Sequence, residues 1–161
     1  MVGVPKIVTR HGAGYTLHLN ADERQLVAHL LGEVRAMQTD PQAAEAVRRL
    51  FPVVHPEHPD REEEYQRLMR DELVSSRSEA IDAVIAVLDR PGRKVALDDA
   101  EMNAFAQAVN SVRLVLGTIL DVTEDNEVDP PPALLESAEY QLYGYLSVVL
   151  DAAIRAMSGR L

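Results

Sequence analysis

The sequence predicts a mostly α protein, a bundle of four to five helices preceded by a β-hairpin. Three observations carry that reading. The chain is 47% hydrophobic but only 4% aromatic, with no Trp. Its core must therefore come from Leu, Val, Ile, Ala and Met, which favours helices packed on helices. Helix-start signatures recur along the chain, and long stretches place apolar residues at i, i+3/i+4 and i+7. Only one short segment has a period of two. At 161 residues the chain suits a single domain over 1–161, within the usual range of about 100–200 residues.

The elements follow in order. Residues 6–19 read as a hairpin, because Tyr15, Leu17 and Leu19 alternate with Thr16 and His18 after the turn His11-Gly12-Ala13-Gly14. A lone hairpin is marginal in water, so its apolar face should lie on helices. Asn20 with Glu23, Asp60 with Glu63 and Asp98 with Glu101 have capping-box spacing. Asp40-Pro41 is an N-cap followed by proline at the first helical position. The helices expected are 21–38, 41–50, 61–89, 99–120 and 133–158, with Gly159 as C-terminal cap. Ser75-Ser76-Arg77-Ser78, with Ser76 three residues before Glu79, predicts a kink or break in the third. Lys94–Leu97 can supply a short third strand beside the hairpin. The bundle thus comprises 20–120 and 133–158, joined by an acidic, proline-rich loop at 121–132.

Two helix faces are informative. On 99–120 the stripe is Met102, Phe105, Val109, Val112, Leu116 and Ile119. On 133–158 the apolar arc spans half the circumference or more, wider than the stripe of about 100° that a surface helix needs. That helix is either central or binds a partner on its spare face, and a second copy in a homodimer is one such partner.

Charge and composition narrow the function. With 26 acidic and 16 basic residues the net charge is −10. Phosphate backbones are bound by clustered Lys and Arg, and no sequence cluster of that kind occurs, so direct nucleic-acid binding is not expected. The same charge argues against anionic membrane surfaces. There is no cysteine, which removes disulfides, thiolate zinc sites and thiol nucleophiles. The start of the chain lacks the apolar stretch of a signal peptide, and the cytoplasm is the expected location.

Candidate chemistry is sparse. His55-Pro56-Glu57-His58-Pro59-Asp60 gathers two imidazoles and two carboxylates, ligands that divalent metals use. The prolines keep it from holding both histidines on one helix face, so a solvated connector is the simpler reading. Counted as a calcium loop, Asp121, Thr123, Asp125, Glu127 and Asp129 fall on ligand positions, yet Pro132 stands where the bidentate Glu must be. No G-x-S-x-G, P-loop or G-x-G-x-x-G motif is present, and neither a metal nor another cofactor is expected. Asn110 and Arg113 on helix 99–120 are the candidate site residues. Arg113 lies beside the apolar stripe with the small Ala106 and Gly117 next to it, so it needs an acceptor. That acceptor is either Glu136 or Glu139 in a structural ion pair, or a carboxylate of a partner protein.

Val109-Asn110-Ser111-Val112-Arg113-Leu114-Val115-Leu116-Gly117-Thr118-Ile119-Leu120, followed by an acidic loop and Glu139-Tyr140-Gln141-Leu142-Tyr143-Gly144-Tyr145-Leu146, resembles a bacterial family named after the AosR oxidative-stress regulator. Asp40-Pro41 leading to Leu50-Phe51-Pro52, and the glycine-turn hairpin, fit the same pattern over nearly the whole chain. The resemblance implies a helical regulator that acts through protein contacts, with a sigma factor or the transcription machinery as partner. It also implies redox sensing by a cysteine pair, which this chain does not have. Gly144 departs from the pattern as well. The sequence thus leads to a non-enzymatic regulatory or adaptor protein without cysteine sensing. The alternative is a metal-dependent or hydrolytic enzyme using His55 and His58.

Overall fold

The computed structural model describes residues 6–123 and 129–159. It is mostly α with a three-stranded antiparallel sheet at its N-terminal end. Strands β1 (Val8–His11) and β2 (Gly14–Leu17) form the hairpin, and β3 (Val95–Leu97) adds to the other side of β2. The pairs Val8↔Leu17, Tyr15↔Leu97 and Leu17↔Val95 put one apolar face inward, and all five of these residues are buried. Gly12 takes the left-handed backbone at φ 58 that the two-residue hairpin turn requires. The third strand expected at 94–97 is therefore present.

Among the described residues five α-helices follow the first two strands: α1 (Ala21–Met37), α2 (Pro59–Leu88), α3 (Asp99–Ile119), the single turn α4 (Pro132–Leu135) and α5 (Ala138–Ser158). Two capping boxes form as the spacing predicts. The Glu23 amide donates to Asn20 Oδ1 at 2.8 Å, and the Glu101 amide donates to Asp98 Oδ1 at 2.7 Å, each answered by the reverse bond. Gly159 caps α5 at φ 74.

Four expectations need correction. The segment 41–50 is two short 3-10 turns, Pro41–Ala43 and Arg48–Leu50, rather than an α-helix. Three residues per turn brings Val47 and Leu50, both buried, onto one line. Helix α2 runs unbroken through Ser75–Ser78, because Arg77 and Ser78 are committed to bonds outside the helix, with Leu50 and Gln38. Its start is set by Pro59 at the first turn, with His58 as N-cap, so Asp60 and Glu63 form no capping box. The final helix is divided at Glu136-Ser137. Ser137 Oγ accepts from the Tyr140 amide at 3.1 Å and begins α5 afresh.

Helix α3 is the hub. It packs along α5 and also touches α1, α2, the second 3-10 turn and strands β2 and β3. Leu146, Val149, Leu150, Ala153 and Ala156 of α5 are buried, which explains much of the wide apolar arc. Val148 and Ile154 remain exposed. At 100° per residue they lie on opposite flanks, about 120° apart, and do not make one patch. No helix among the described residues is long and apolar enough to cross a membrane.

Acid should weaken this fold in a defined way. The Glu101 carboxylate accepts from the Asp98 amide and lies against Arg90, which holds its pKa below the ordinary 4.5. Glu62 is lowered mainly by the Val54 amide. A carboxyl depressed in the folded state contributes stability above its unfolded pKa, and that contribution is lost as pH falls through the folded value. The unfolding midpoint should therefore drop below about pH 4.5, and Glu101→Gln should flatten that acid limb. Parallel melting curves for wild type and variant across pH would show it. Identical acid limbs would refute the assignment.

Candidate functional site

Asn110 and Arg113 project from one side of α3, a turn apart. Arg113 Nη2 donates to Asn110 Oδ1 at 3.2 Å, and its guanidinium sits 5.8 Å from the Tyr143 ring of α5. Tyr143 in turn stacks on Tyr140, with ring centroids 6.2 Å apart. No carboxylate among the described residues comes within ion-pair distance of Arg113, so the expected bridge to Glu136 or Glu139 does not form. Its place is taken by the Asn110 amide oxygen, by the Tyr143 hydroxyl, which accepts from Arg113 Nη1 at 3.5 Å, and by the Tyr143 ring, all of them neutral partners. Arg113 Nε is buried without a partner. The space beside Gly117 is filled by side chains of the chain itself. A Cβ there would lie 3.2 Å from Arg49 Nη1 and 3.3 Å from the Tyr143 ring.

This arrangement changes what substitution should do. Removing Arg113 strands no carboxylate, so Arg113→Ala should cost about 1–2 kcal/mol, the sum of two long hydrogen bonds and one cation–π contact. Arg113→Lys should recover only part of that, because one ammonium cannot reach both Asn110 Oδ1 and the Tyr143 hydroxyl as the two guanidinium nitrogens do. Chemical denaturation of the two variants tests this. A loss above about 3 kcal/mol for Arg113→Ala, the cost of a broken buried pair, would overturn it.

The histidines are differently employed. His55 meets the Tyr65 ring edge-on at 5.8 Å, and its backbone amide, with that of Val54, donates to Glu62. His58 is the exposed cap of α2. Among the described residues no group of three or more His, Cys, Asp or Glu side chains is placed to hold a metal ion. The calcium-loop pattern lies partly outside the described residues, since 124–128 are not among them.

Sequence reading missed a second arginine group. Arg70 and Arg77 of α2 both approach the buried Phe51 ring, at 3.9 and 5.1 Å. Arg77 also donates to Gln38 Oε1 at 3.2 Å and to the Leu50 carbonyl at 3.0 Å. Burial lowers its pKa from the ordinary arginine value. Arg49 donates to the Val122 carbonyl at 3.1 Å. The signal was legible in principle, since Arg70 and Arg77 are seven residues apart and share one face of α2.

Together these features define a small helical domain with an N-terminal sheet and a cluster of arginines held by neutral acceptors. The chain belongs to the family described as "Domain of unknown function (DUF2017)", which it matches over residues 5–157. It is similar to a protein of Mycobacterium leprae (strain TN) described as "Putative oxidative stress regulator AosR". The two are 26% identical over 120 residues, covering 74% of this chain and 50% of the relative. The chain thus spans about half the length of the curated relative it matches. No solved structure matches it significantly.

Proposed function

We propose that this chain is a non-enzymatic regulatory or adaptor protein that works in the cytoplasm through protein–protein contacts, in stress-linked control of transcription. The observation that carries the reading is the similarity to the mycobacterial relative along 74% of the chain. The side chains agree with it. His55 packs edge-on against the Tyr65 ring, and the arginines keep unused donors. A sigma factor or another component of the transcription machinery is the partner this reading implies. Since the chain contains no cysteine, its own response to oxidant is not thiol chemistry. Methionine sulfoxide is the modification left to its side chains, and it requires a reductase for reversal.

Affinity capture of the tagged protein from its own cells, cross-linked with and without peroxide, tests the proposal. The expected result is recovery of RNA polymerase subunits or a sigma factor, identified by mass spectrometry. Recovery of no transcription component under either condition would overturn it.

A further inference from the structure

Among the described residues, five arginines form side-chain ion pairs: Arg35 with Asp82, Arg48 with Glu45, Arg67 with Glu64, Arg90 with Glu101 and Arg155 with Asp151. Arg49, Arg70 and Arg77 form none among the described residues, although acidic residues outnumber basic ones by 26 to 16. These three are neighbours. Two concavities, of about 430 and 640 Å³, adjoin along Arg49, Pro52 and Leu114, which line both, and together are called the trough. Arg77 lines the first part and Arg70 the second, and the sole acidic residue lining either is Glu62. That carboxylate already accepts from the Val54 and His55 amides.

Each guanidinium is held in place by neutral partners: Arg70 by the Phe51 ring, Arg77 by Phe51, Gln38 and the Leu50 carbonyl, and Arg49 by the Val122 carbonyl. A guanidinium has five N–H donors, so each keeps donors to spare and its charge stays uncompensated. The cations are therefore fixed in position and face a partly apolar floor that includes Leu73 and Leu114, both half-buried.

We propose that this trough is the docking site for an acidic, apolar-anchored segment of a partner protein. The proposal rests on the regulator reading above and names the chemistry of its partner. Arg70 and Arg77 are two helical turns apart, about 10 Å along α2. A peptide in the polyproline II conformation rises about 3.1 Å per residue with three residues per turn, so side chains three positions apart lie on one side and about 9 Å from each other. Carboxylates three residues apart would meet Arg70 and Arg77, Arg49 would bind a third acceptor, and an apolar side chain between them would seat over Leu73 and Leu114. A nucleic acid fits less well, because the floor between the cations is apolar and the chain's net charge of −10 repels a long polyanion.

Fluorescence anisotropy with a short labelled peptide, Glu at every third position and Leu between, tests the assignment. The wild-type protein should bind this probe, and added salt should weaken binding. Arg70→Glu should weaken it at least tenfold, while Arg155→Glu on α5 should leave it unchanged. Arg70 makes no hydrogen bond among the described residues, and unchanged melting of its variant would confirm that the loss is local. Failure of the wild type to bind, equal loss with Arg155→Glu, or stronger binding of a single-stranded oligonucleotide than of the peptide would each overturn the site. The two proposals fail separately. If a captured transcription component binds Arg70→Glu as it binds wild type, the regulator reading stands and the trough does not. If the peptide result holds and no transcription component is captured, the trough stands and the regulator reading falls.

Discussion

Replacing Arg24 with alanine should lower stability by about 3 kcal/mol and the unfolding midpoint by about 6–12 °C. Arg24 is a buried charged residue on α1. Its Nη1 donates to the Arg90 carbonyl at 3.1 Å and its Nη2 to the Gly92 carbonyl at 2.6 Å. One side chain thus clasps the turn that connects α2 to β3. Gly92 sits at φ 111, a backbone region favourable to glycine, so the turn has little freedom to find other donors. Hydrogen bonds from a charged donor are worth about 1.5–3 kcal/mol each, and the exposed carbonyls recover part of that from water. Arg24→Lys should restore less than half the loss, since one ammonium cannot span both carbonyls in the same geometry. A midpoint within about 2 °C of wild type for Arg24→Ala would show that the clasp is not stabilising.

Phe105→Ala should cost still more, about 3–5 kcal/mol, with a fall of about 6–20 °C in the midpoint. Phe105 is fully enclosed on α3 and is the largest side chain so enclosed. Because α3 contacts nearly every other element, the space left there cannot be closed by moving one neighbour. Phe105→Leu should retain more than half the stability, as a branched aliphatic fills much of the volume. Calorimetry of the three proteins distinguishes these outcomes. Equal losses for Ala and Leu would mean that ring geometry, rather than filled volume, is what the core requires.

Much of the fold was legible because its signals are local. Asn20 with Glu23 and Asp98 with Glu101 satisfy orphaned amides with neighbours three residues away, so sequence alone locates them. The alternation around Tyr15 and Leu17 located the hairpin in the same way. What escaped depends on residues far apart. Nothing near Ser75–Ser78 shows that Arg77 will bind Leu50 and so hold the helix through that segment. Ser137 does have a local signal, a serine at a helix start, but Tyr140 stands where a Glu or Gln would complete the box. The proposed site follows the same division. Asn110 and Arg113 were found because one helix carries both, but their acceptor was misjudged, since Tyr143 comes from another helix. The arginine trough depends on three separated stretches, and the −10 net charge conceals it.

The third strand has a consequence for how the chain reaches this fold. The hairpin β1–β2 joins residues a few positions apart and can form early. Strand β3 must find β2 across a far longer stretch, and the Tyr15 hydroxyl that donates to Asp99 beside it closes a separation of 84 residues. The Tyr145 hydroxyl, donating to Glu23 at 2.7 Å, closes one of 122. The entropic cost of a loop grows only slowly with its length, but it must be met before the distant contacts return anything. Helices α1 and α2 lie inside the first loop, and their packing shortens the search that β3 would otherwise make. The sheet, though it comes first in the chain, is therefore completed late. Its third strand should acquire protection from amide exchange after the helices that precede it.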